Sequence, residues 1–286
     1  MTWGEWLVRA YCRGAHYRGK IRVARWLAKR FLPAEGGVYT LADGTRLLLH
    51  PRDWIEYRLL QRETYEPVTL AFLRANLKEG HQAVLAGVNI GLHVLISASM
   101  VKPTGKVVGV EPQPSSLLRA RQNILLNDGL AAHVFLVSAA LGAEAGLAGM
   151  VPAPEHNSGM ASLVDQRDEP LPFSIVVETL PELLYRLKLR RPDLMLLDVE
   201  GFELPVLRGI TPSTRPKIMI VESKSDHQTK GGASERELFD QLTSMGYDLF
   251  DLRGQPAVAG QELVEFNLIA VARDAPPIVW VKSSDR

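Results

Sequence analysis

Cysteine is almost missing from this chain of 286 residues, where Cys12 stands alone. A single thiol excludes an internal disulfide and a cysteine-based metal site. No early segment combines a basic start, an apolar run and a small-residue cleavage site, so the expected compartment is the cytoplasm. An excess of one charge is also lacking, since the net is only +1. Long apolar runs are equally scarce. The nearest approach is AVLAGVNIGLHVLISASMV, Ala83 to Val101, which carries no formal charge and has roughly the length of a membrane span. Its glycines, Asn89, His93 and serines make it too polar for hydrocarbon, and its first half is a short apolar run while its second has helical spacing. Strand, turn, helix describes it better. Tandem repeats and low-complexity tracts are absent, and 46% hydrophobic residues suffice to fill the core of one large domain or one domain with an appendage.

The charge that is present is unevenly placed. Met1 to Phe31 holds eight Lys or Arg residues against Glu5 alone, a net of +7, so the remainder carries 25 cations against 31 acids, a net of −6. Interleaved with Trp3, Trp6, Leu7, Tyr11, Tyr17, Ile21, Trp26 and Leu27, these cations form the pattern of a basic amphipathic helix or helix pair. Such a segment either caps an acidic body or lies on an anionic membrane or carrier surface. Nucleic acid is not the expected partner, because no RNA- or DNA-binding module follows.

The linker Leu32-Pro33-Ala34-Glu35-Gly36-Gly37 marks the main boundary. After it, VYTLADGTRLLLH alternates around Asp43-Gly44, a hairpin signal, and helices are expected around Asp53 to Gln61 and Glu66 to Leu77. Apolar runs at Ala83 to Ala86, Lys106 to Val110, His133 to Val137, Leu194 to Leu197 and Lys217 to Val221 read as strands buried on both faces. Helical patterns at Ile90 to Met100, Pro114 to Asn127, Leu180 to Leu187 and Glu203 to Arg208 separate most of them. This alternation implies right-handed crossovers and a mostly parallel sheet with helices on both sides. The mixed stretch Gly142 to Val177 is expected to hold short strands or a cover loop. A helix over Glu235 to Met245 precedes two strand-like runs, Tyr247 to Leu252 and Glu262 to Ala272, which suit an antiparallel pair at the sheet edge.

In an open parallel sheet ligands sit beyond the carboxyl ends of the strands, so the turn LAGVNIGLH is the natural cofactor site. A dinucleotide site wants G-x-G-x-x-G, whose glycines admit the pyrophosphate to a helix N-terminus. Gly87-Val88-Asn89-Ile90-Gly91 has no third glycine three residues later, so that fingerprint is not met. Glu111, closing VVGVE, lies 24 residues after Gly87. A carboxylate there can accept both hydroxyls of a ribose while the phosphate-binding pattern is missing. A nucleoside cofactor without phosphates fits best, and S-adenosylmethionine is one. An NAD-dependent oxidoreductase is the rival that Glu111 alone would suggest.

AGVNIGLHVLISASMVKPTGKVVGVEPQPSSLLRARQNILLN, followed by LLDVEGFELPVLRG and KIMIVE, resembles the FkbM-type S-adenosylmethionine-dependent methyltransferases. The similarity runs from DWIEYRLLQRETYEP through MGYDLFDL to EFNLIAV. The resemblance implies a class I methyltransferase fold: an α/β, Rossmann-like, seven-stranded, mostly parallel sheet with an antiparallel last strand. With the boundary at the linker, the expected division is a basic N-terminal segment and linker (1–37), the methyltransferase domain (38–275) and a C-terminal tail (276–286). The resemblance also implies O-methylation of hydroxyls on sugars or secondary metabolites. Gly87, Asn89 and Gly91 would form the turn around the methionine part of the cofactor, Glu111 would hold its ribose, Glu66 of TYEP would meet its ammonium group unless it caps the helix at Pro67, and Ser138 is counted with them. Two positions depart from the family: Leu85 stands where an acid is usual and Leu196 where a lysine is frequent. They leave a non-catalytic cofactor-binding or scaffolding member as the alternative reading.

LMLLDVEGFE puts Asp198 and Glu200 at the end of an apolar strand that has no structural need of them. Methyl transfer is an in-line displacement, so an acceptor hydroxyl must be aligned and relieved of its proton, and a carboxylate can do both. Residues i and i+2 share a face only in extended chain, so the two converge if the strand continues to Glu200; otherwise they cap the helix near Phe202. Glu222, ending KIMIVE, should enter the same cleft and touch substrate, and three acids together could hold Mg²⁺ through oxygen ligands. His227 and His156 are alternative bases. HNSGMASL resembles the family's cover region, which assigns Asn157, Ser158 and Ser162 to substrate contact.

Overall fold

The computed structural model describes residues 2–15, 17–33, 36–50, 53–62, 64–151, 162–164, 174–223 and 234–281. The basic segment is a helix pair. Thr2 and Glu5 cap α1 (Trp3–Arg13) reciprocally, each side chain accepting the other's backbone N–H. Helix α2 (Lys20–Phe31) runs back along it, since Phe31 stacks edge-on against Trp3 while Lys20 reaches the other end of α1. The buried Lys20 Nζ donates to the carbonyls of Cys12 (2.8 Å) and Gly14, a cation on the negative end of α1. The helices cross at Gly4, where a Cβ would come within 2.8 Å of the Phe31 carbonyl oxygen. Val8, Cys12, Ala24 and Ala28 are buried in one apolar cluster with Leu47, Leu49 and Tyr57 of the body. Burial pushes the Cys12 thiol up to about 11, so it is a packing residue and not a nucleophile.

Strands β1 (Gly37–Thr40) and β2 (Arg46–Leu49) pair antiparallel about the expected turn, where Thr45 N–H donates to Asp43 at 3.0 Å. Helices α3 (Trp54–Arg62) and α4 (Pro67–Asn76) follow. The alternation then delivers β3 (Gln82–Ala86), α5 (Leu92–Val101), β4 (Lys106–Val110), α6 (Pro114–Leu125) and β5 (Val134–Val137). A small sheet interrupts it, built from β6 (Ala140–Leu141), β7 (Gly146–Val151), β8 (Ser162–Val164) and β9 (Ser174–Glu178) in the order β6-β9-β7-β8. The rest is α7 (Leu180–Arg186), β10 (Leu194–Leu197), α8 (Glu203–Arg208), β11 (Ile218–Glu222), α9 (Glu235–Ser244), β12 (Tyr247–Asp251) and β13 (Asn267–Ala272).

The main sheet has seven strands in the order β12-β13-β11-β10-β3-β4-β5. All neighbours are parallel except β13, which is antiparallel to both β11 and β12. This is the doubly wound architecture expected. Strand alternation divides its core in two: Leu85, Val107, Leu196 and Ile220 pack with α4, α5 and α6, while Val84, Val108, Met195 and Met219 pack with α7, α8 and α9. One expectation is corrected. Strand β5 is only half-buried, with Phe135 38% exposed, because it closes the sheet edge and lacks a neighbour on one side. Beyond β13 the chain returns to the body: Trp280 packs on Phe72 and Phe250, and Asn76 exchanges hydrogen bonds with the backbone of Val279 at 3.0 and 2.9 Å.

Candidate active site

The carboxyl ends of β3, β4 and β10 open into a cavity of about 1050 Å³ including its mouth. Gly87 lines it, with φ of +80°, and a Cβ there would sit 1.6 Å from the Asp198 carbonyl oxygen. No other residue type permits that approach. The strand ends are laced together around it: Gly87 N–H donates to Val110 O and Asp198 N–H to Ala86 O, both at 3.0 Å. Asn89 lies at φ +46° and turns its N–H to Glu111 Oε2 (3.0 Å), while Gln113 N–H donates to Glu111 Oε1 (2.9 Å). Burial raises the Glu111 carboxyl above its ordinary value, and these backbone donors offset part of that shift. With the Val88 backbone as a third donor, the acid is fixed on the cavity wall and keeps acceptor capacity for a ligand hydroxyl.

Gly91 does different work from Gly87 and Asn89. At φ +89° it begins α5 and lies against α6, where an added Cβ would come within 3.1 Å of the Ala120 Cβ. It sets the close packing of α5 on α6 rather than lining the cavity. Glu66, also at positive φ (+49°), precedes α4 but makes no cap bond. The N–H groups of Val68 and Thr69 donate instead to Glu265, at 3.0 and 2.8 Å. The Glu66 carboxylate turns to His93, 3.4 Å from its Nε2. The capping alternative is thereby replaced by a carboxylate–imidazole pair beside the cavity.

Asp198 and Glu200 both line the cavity, but not by the route expected. Strand β10 stops at Leu197, and the chain turns through Glu200 (φ +53°) and Gly201 (φ +103°). The turn, not an extended strand, brings Asp198, Glu200 and Glu222 together, with one oxygen of each within 4.8 Å of the others. Oxygen ligands of this kind suit a hard divalent cation as well as a hydroxyl. The other alternative, capping of α8, is not met either, since that helix has no side-chain cap bond; Glu203, its first residue, instead ties down the turn, accepting from Val199 N–H (3.1 Å) and Gly201 N–H (3.2 Å). Burial and then Glu222 push Glu203 up to about 7. Tyr65, on the cavity wall, has its phenol pKa raised by burial and further by Glu66, Asp198, Glu222 and Glu200, so it remains a neutral hydrogen-bond donor amid four carboxylates.

Ser138 requires correction. It follows β5 on the side of Val134 and Leu136, exposed, and lines a separate groove with Pro114 and Leu117. Successive residues of an extended segment face opposite ways, so Ala139 is the one turned to the cavity. Asn157, Ser158, His156 and His227 lie outside the described residues, and of Ser162 only the backbone, in β8, is described. Tyr65 and His93 are site residues that the sequence reading does not single out. His93 sits in the first turn of α5, where a helix begun at Gly91 aims it back at the turn, and that spacing is a legible signal. Met150 of the small sheet, which also lines the cavity, has no such signal.

Leu85 and Leu196 are direct partners in the β3–β10 register and are 0% and 3% exposed. Neither lines the cavity. The two departures from the family pattern are thus one apolar contact inside the sheet.

The sequence model of the methyltransferase FkbM domain matches residues 86–249. Among solved structures the chain is similar to a methyltransferase FkbM from Methylobacillus flagellatus KT, at 14% identity over 94% of this chain and 58% of that one, TM-score 0.47. It is similar to an S-adenosylmethionine-dependent O-methyltransferase from Thermotoga maritima, at 13% identity over 86% and 81%, TM-score 0.43. It is also similar to Aeropyrum pernix fibrillarin with natively bound S-adenosylmethionine, at 17% identity over 71% and 74%, TM-score 0.41. No curated protein sequence matches.

Proposed function

Because the chain belongs to the FkbM methyltransferase family and has the class I fold of S-adenosylmethionine-dependent methyltransferases, we propose that it moves the donor's methyl group to a hydroxyl oxygen of an uncharged sugar or glycosylated metabolite. One observation carries the reading: Gly87, Asn89 and Glu111 line the same cavity as Asp198 and Glu200. The first three suit the donor, with the Glu111 carboxylate accepting from the ribose hydroxyls and no phosphate cradle required. The Glu66 carboxylate suits the donor's ammonium group. Asp198 and Glu200 suit the acceptor: one carboxylate orients the hydroxyl and takes its proton as the oxygen–carbon bond forms, the sulfur–carbon bond breaks and neutral S-adenosylhomocysteine departs.

Charge supports the same choice. Four carboxylates around Tyr65 favour a cationic sulfonium donor and oppose an anionic acceptor such as a phosphorylated sugar or a nucleic acid. The oxygen set of Asp198, Glu200 and Glu222 also fits Mg²⁺, which would supply acidification of the hydroxyl. The cytoplasm remains the proposed compartment.

The test is methyl transfer from labelled donor to a panel of glycosides, beside calorimetric binding of S-adenosylmethionine and S-adenosylhomocysteine. Asp198→Asn should lower turnover by about a hundredfold or more while donor affinity stays close to wild type. Wild-type rates in both Asp198→Asn and Glu200→Gln would remove the pair from catalysis, and absence of donor binding at millimolar ligand would leave the scaffolding reading. The assay repeated after chelation, with and without added Mg²⁺, assigns the three acids to metal or to hydroxyl.

A further inference from the structure

The helix pair has two faces, and the body uses only one. At about 100° per residue, Val8 and Cys12 of α1 form a ridge that is fully buried. Trp3, Trp6, Ala10 and Arg13 fall on the opposite side of the same helix. In α2 the inward ridge is Lys20, Ala24 and Ala28, and Arg22, Trp26 and Lys29 lie opposite. Both outward ridges are exposed, and the large apolar rings stand in solvent: Trp3 is 67%, Trp6 53% and Trp26 61% accessible. Packing against the body explains the inner ridges, and Trp3 spends only an edge on Phe31, which leaves the solvent-facing area of these three indoles unexplained.

Cations surround the indoles. Arg13, Arg18, Arg22, Lys29 and Arg30 are all exposed, whereas Lys20 is consumed at the end of α1 and Arg9 donates to the Thr40 carbonyl at 3.0 Å. The segment's one acid, Glu5, belongs to the cap of α1. Tryptophan beside Lys and Arg is the composition that settles at the boundary of headgroups and acyl chains, the ring buried shallowly and the cations meeting anionic headgroups. Among the described residues no helix is long and apolar enough to cross a membrane, so such a surface lies on the bilayer. The net of −6 on the rest of the chain turns the remainder away and orients the contact.

We propose that the outward face of the α1–α2 pair docks the protein on an anionic phospholipid surface. The inference is independent of the methyl acceptor. It is tested with the full chain, sedimented with vesicles of phosphatidylcholine alone and of phosphatidylcholine containing phosphatidylglycerol. Binding is expected only to the anionic vesicles, weakening as salt rises because screening shortens the reach of the cations, with a blue shift of tryptophan emission. The triple variant Arg18→Glu, Arg22→Glu, Lys29→Gln should bind at least about a hundredfold more weakly, and Trp6→Ala with Trp26→Ala should lose most of the emission shift, Trp3 retaining the rest, both with near-wild-type thermal unfolding since these side chains are exposed. Should a variant fail to fold, quenching of wild-type tryptophan emission by lipids labelled in the acyl chain decides instead. The proposal is overturned by absence of wild-type binding at low salt, by undiminished binding of the folded charge-reversal variant, by unquenched emission, or by a preference for single-stranded RNA over vesicles.

Discussion

Leu85 and Leu196 show how a single position misleads when it is taken alone. The family pattern has an acid at one and a lysine at the other, and each leucine separately looks like the loss of a functional charge. The register sets the two side by side in a buried sheet, so both charges are absent together and neither partner is stranded. Leu85→Asp alone should therefore destabilise the protein by about 3 to 5 kcal/mol, as an uncompensated buried charge does, and Leu196→Lys added to it should recover a substantial part. A double-mutant cycle in urea measures this, and additive effects of the two substitutions would refute the pairing. At this scale the sequence is most informative where chemistry is local. Gly87, Asn89 and Glu111 are readable from spacing, since a turn and the next strand end fix their positions. Ser138 is misplaced when it is taken by its place after β5 alone, since alternation with Val134 and Leu136 turns it to the other side and gives the cavity to Ala139.

Elements are legible wherever an apolar run has turn residues at both ends. The span of α8, Glu203–Arg208, agrees with its sequence pattern residue for residue, and so do the ends of β4 and β10. The link between elements is the harder part. Convergence of Asp198 and Glu200 is expected from a chain that stays extended after β10, yet a turn with positive φ at Glu200 does the same thing, and no residue-type preference announces a glutamate there. That turn depends on Glu203, which holds the N–H groups of Val199 and Gly201 while its own carboxyl is pushed up to about 7 by burial and by Glu222. A raised pKa in the folded state means that folding favours the protonated acid. The associated stability is fully present below about pH 4.5 and is lost as the pH rises through about 7. Glu203→Gln keeps an acceptor for both N–H groups and has no charge to lose. The variant's advantage in thermal unfolding should grow across that window, to on the order of 3 kcal/mol at most, and a difference that stays flat with pH would sink the assignment.

For the whole molecule, the uneven charge is plain in the sequence, but whether the basic segment caps the body or faces outward is not, because amphipathic spacing is the same for both. The structure gives each helix an inner ridge packed on the body and an outer ridge in solvent, so the cap describes the inner side and the lipid contact stays a proposal for the outer one. The inner side makes the pair inseparable from the domain. Removing residues 1–31 uncovers Tyr57, fully buried, and takes Val8, Cys12, Ala24 and Ala28 out of the apolar cluster they share with it, and should cost at least about 3 kcal/mol of stability. Chemical denaturation of the shortened chain beside the full one checks this, and equal stability would show that the pair is an appendage.

Helix α3 has obligations in two directions. Its Tyr57 lies among Tyr11, Cys12 and Tyr17 of the basic segment, while its Ile55 and Leu59 form part of the cavity wall. A mutation that loosens the grip of the first group on Tyr57 tilts the second, so a changed KM in an N-terminal variant is no proof that the N-terminus touches the acceptor. Kinetic comparisons across such variants become interpretable only once donor affinity, read separately, shows that the wall has kept its shape.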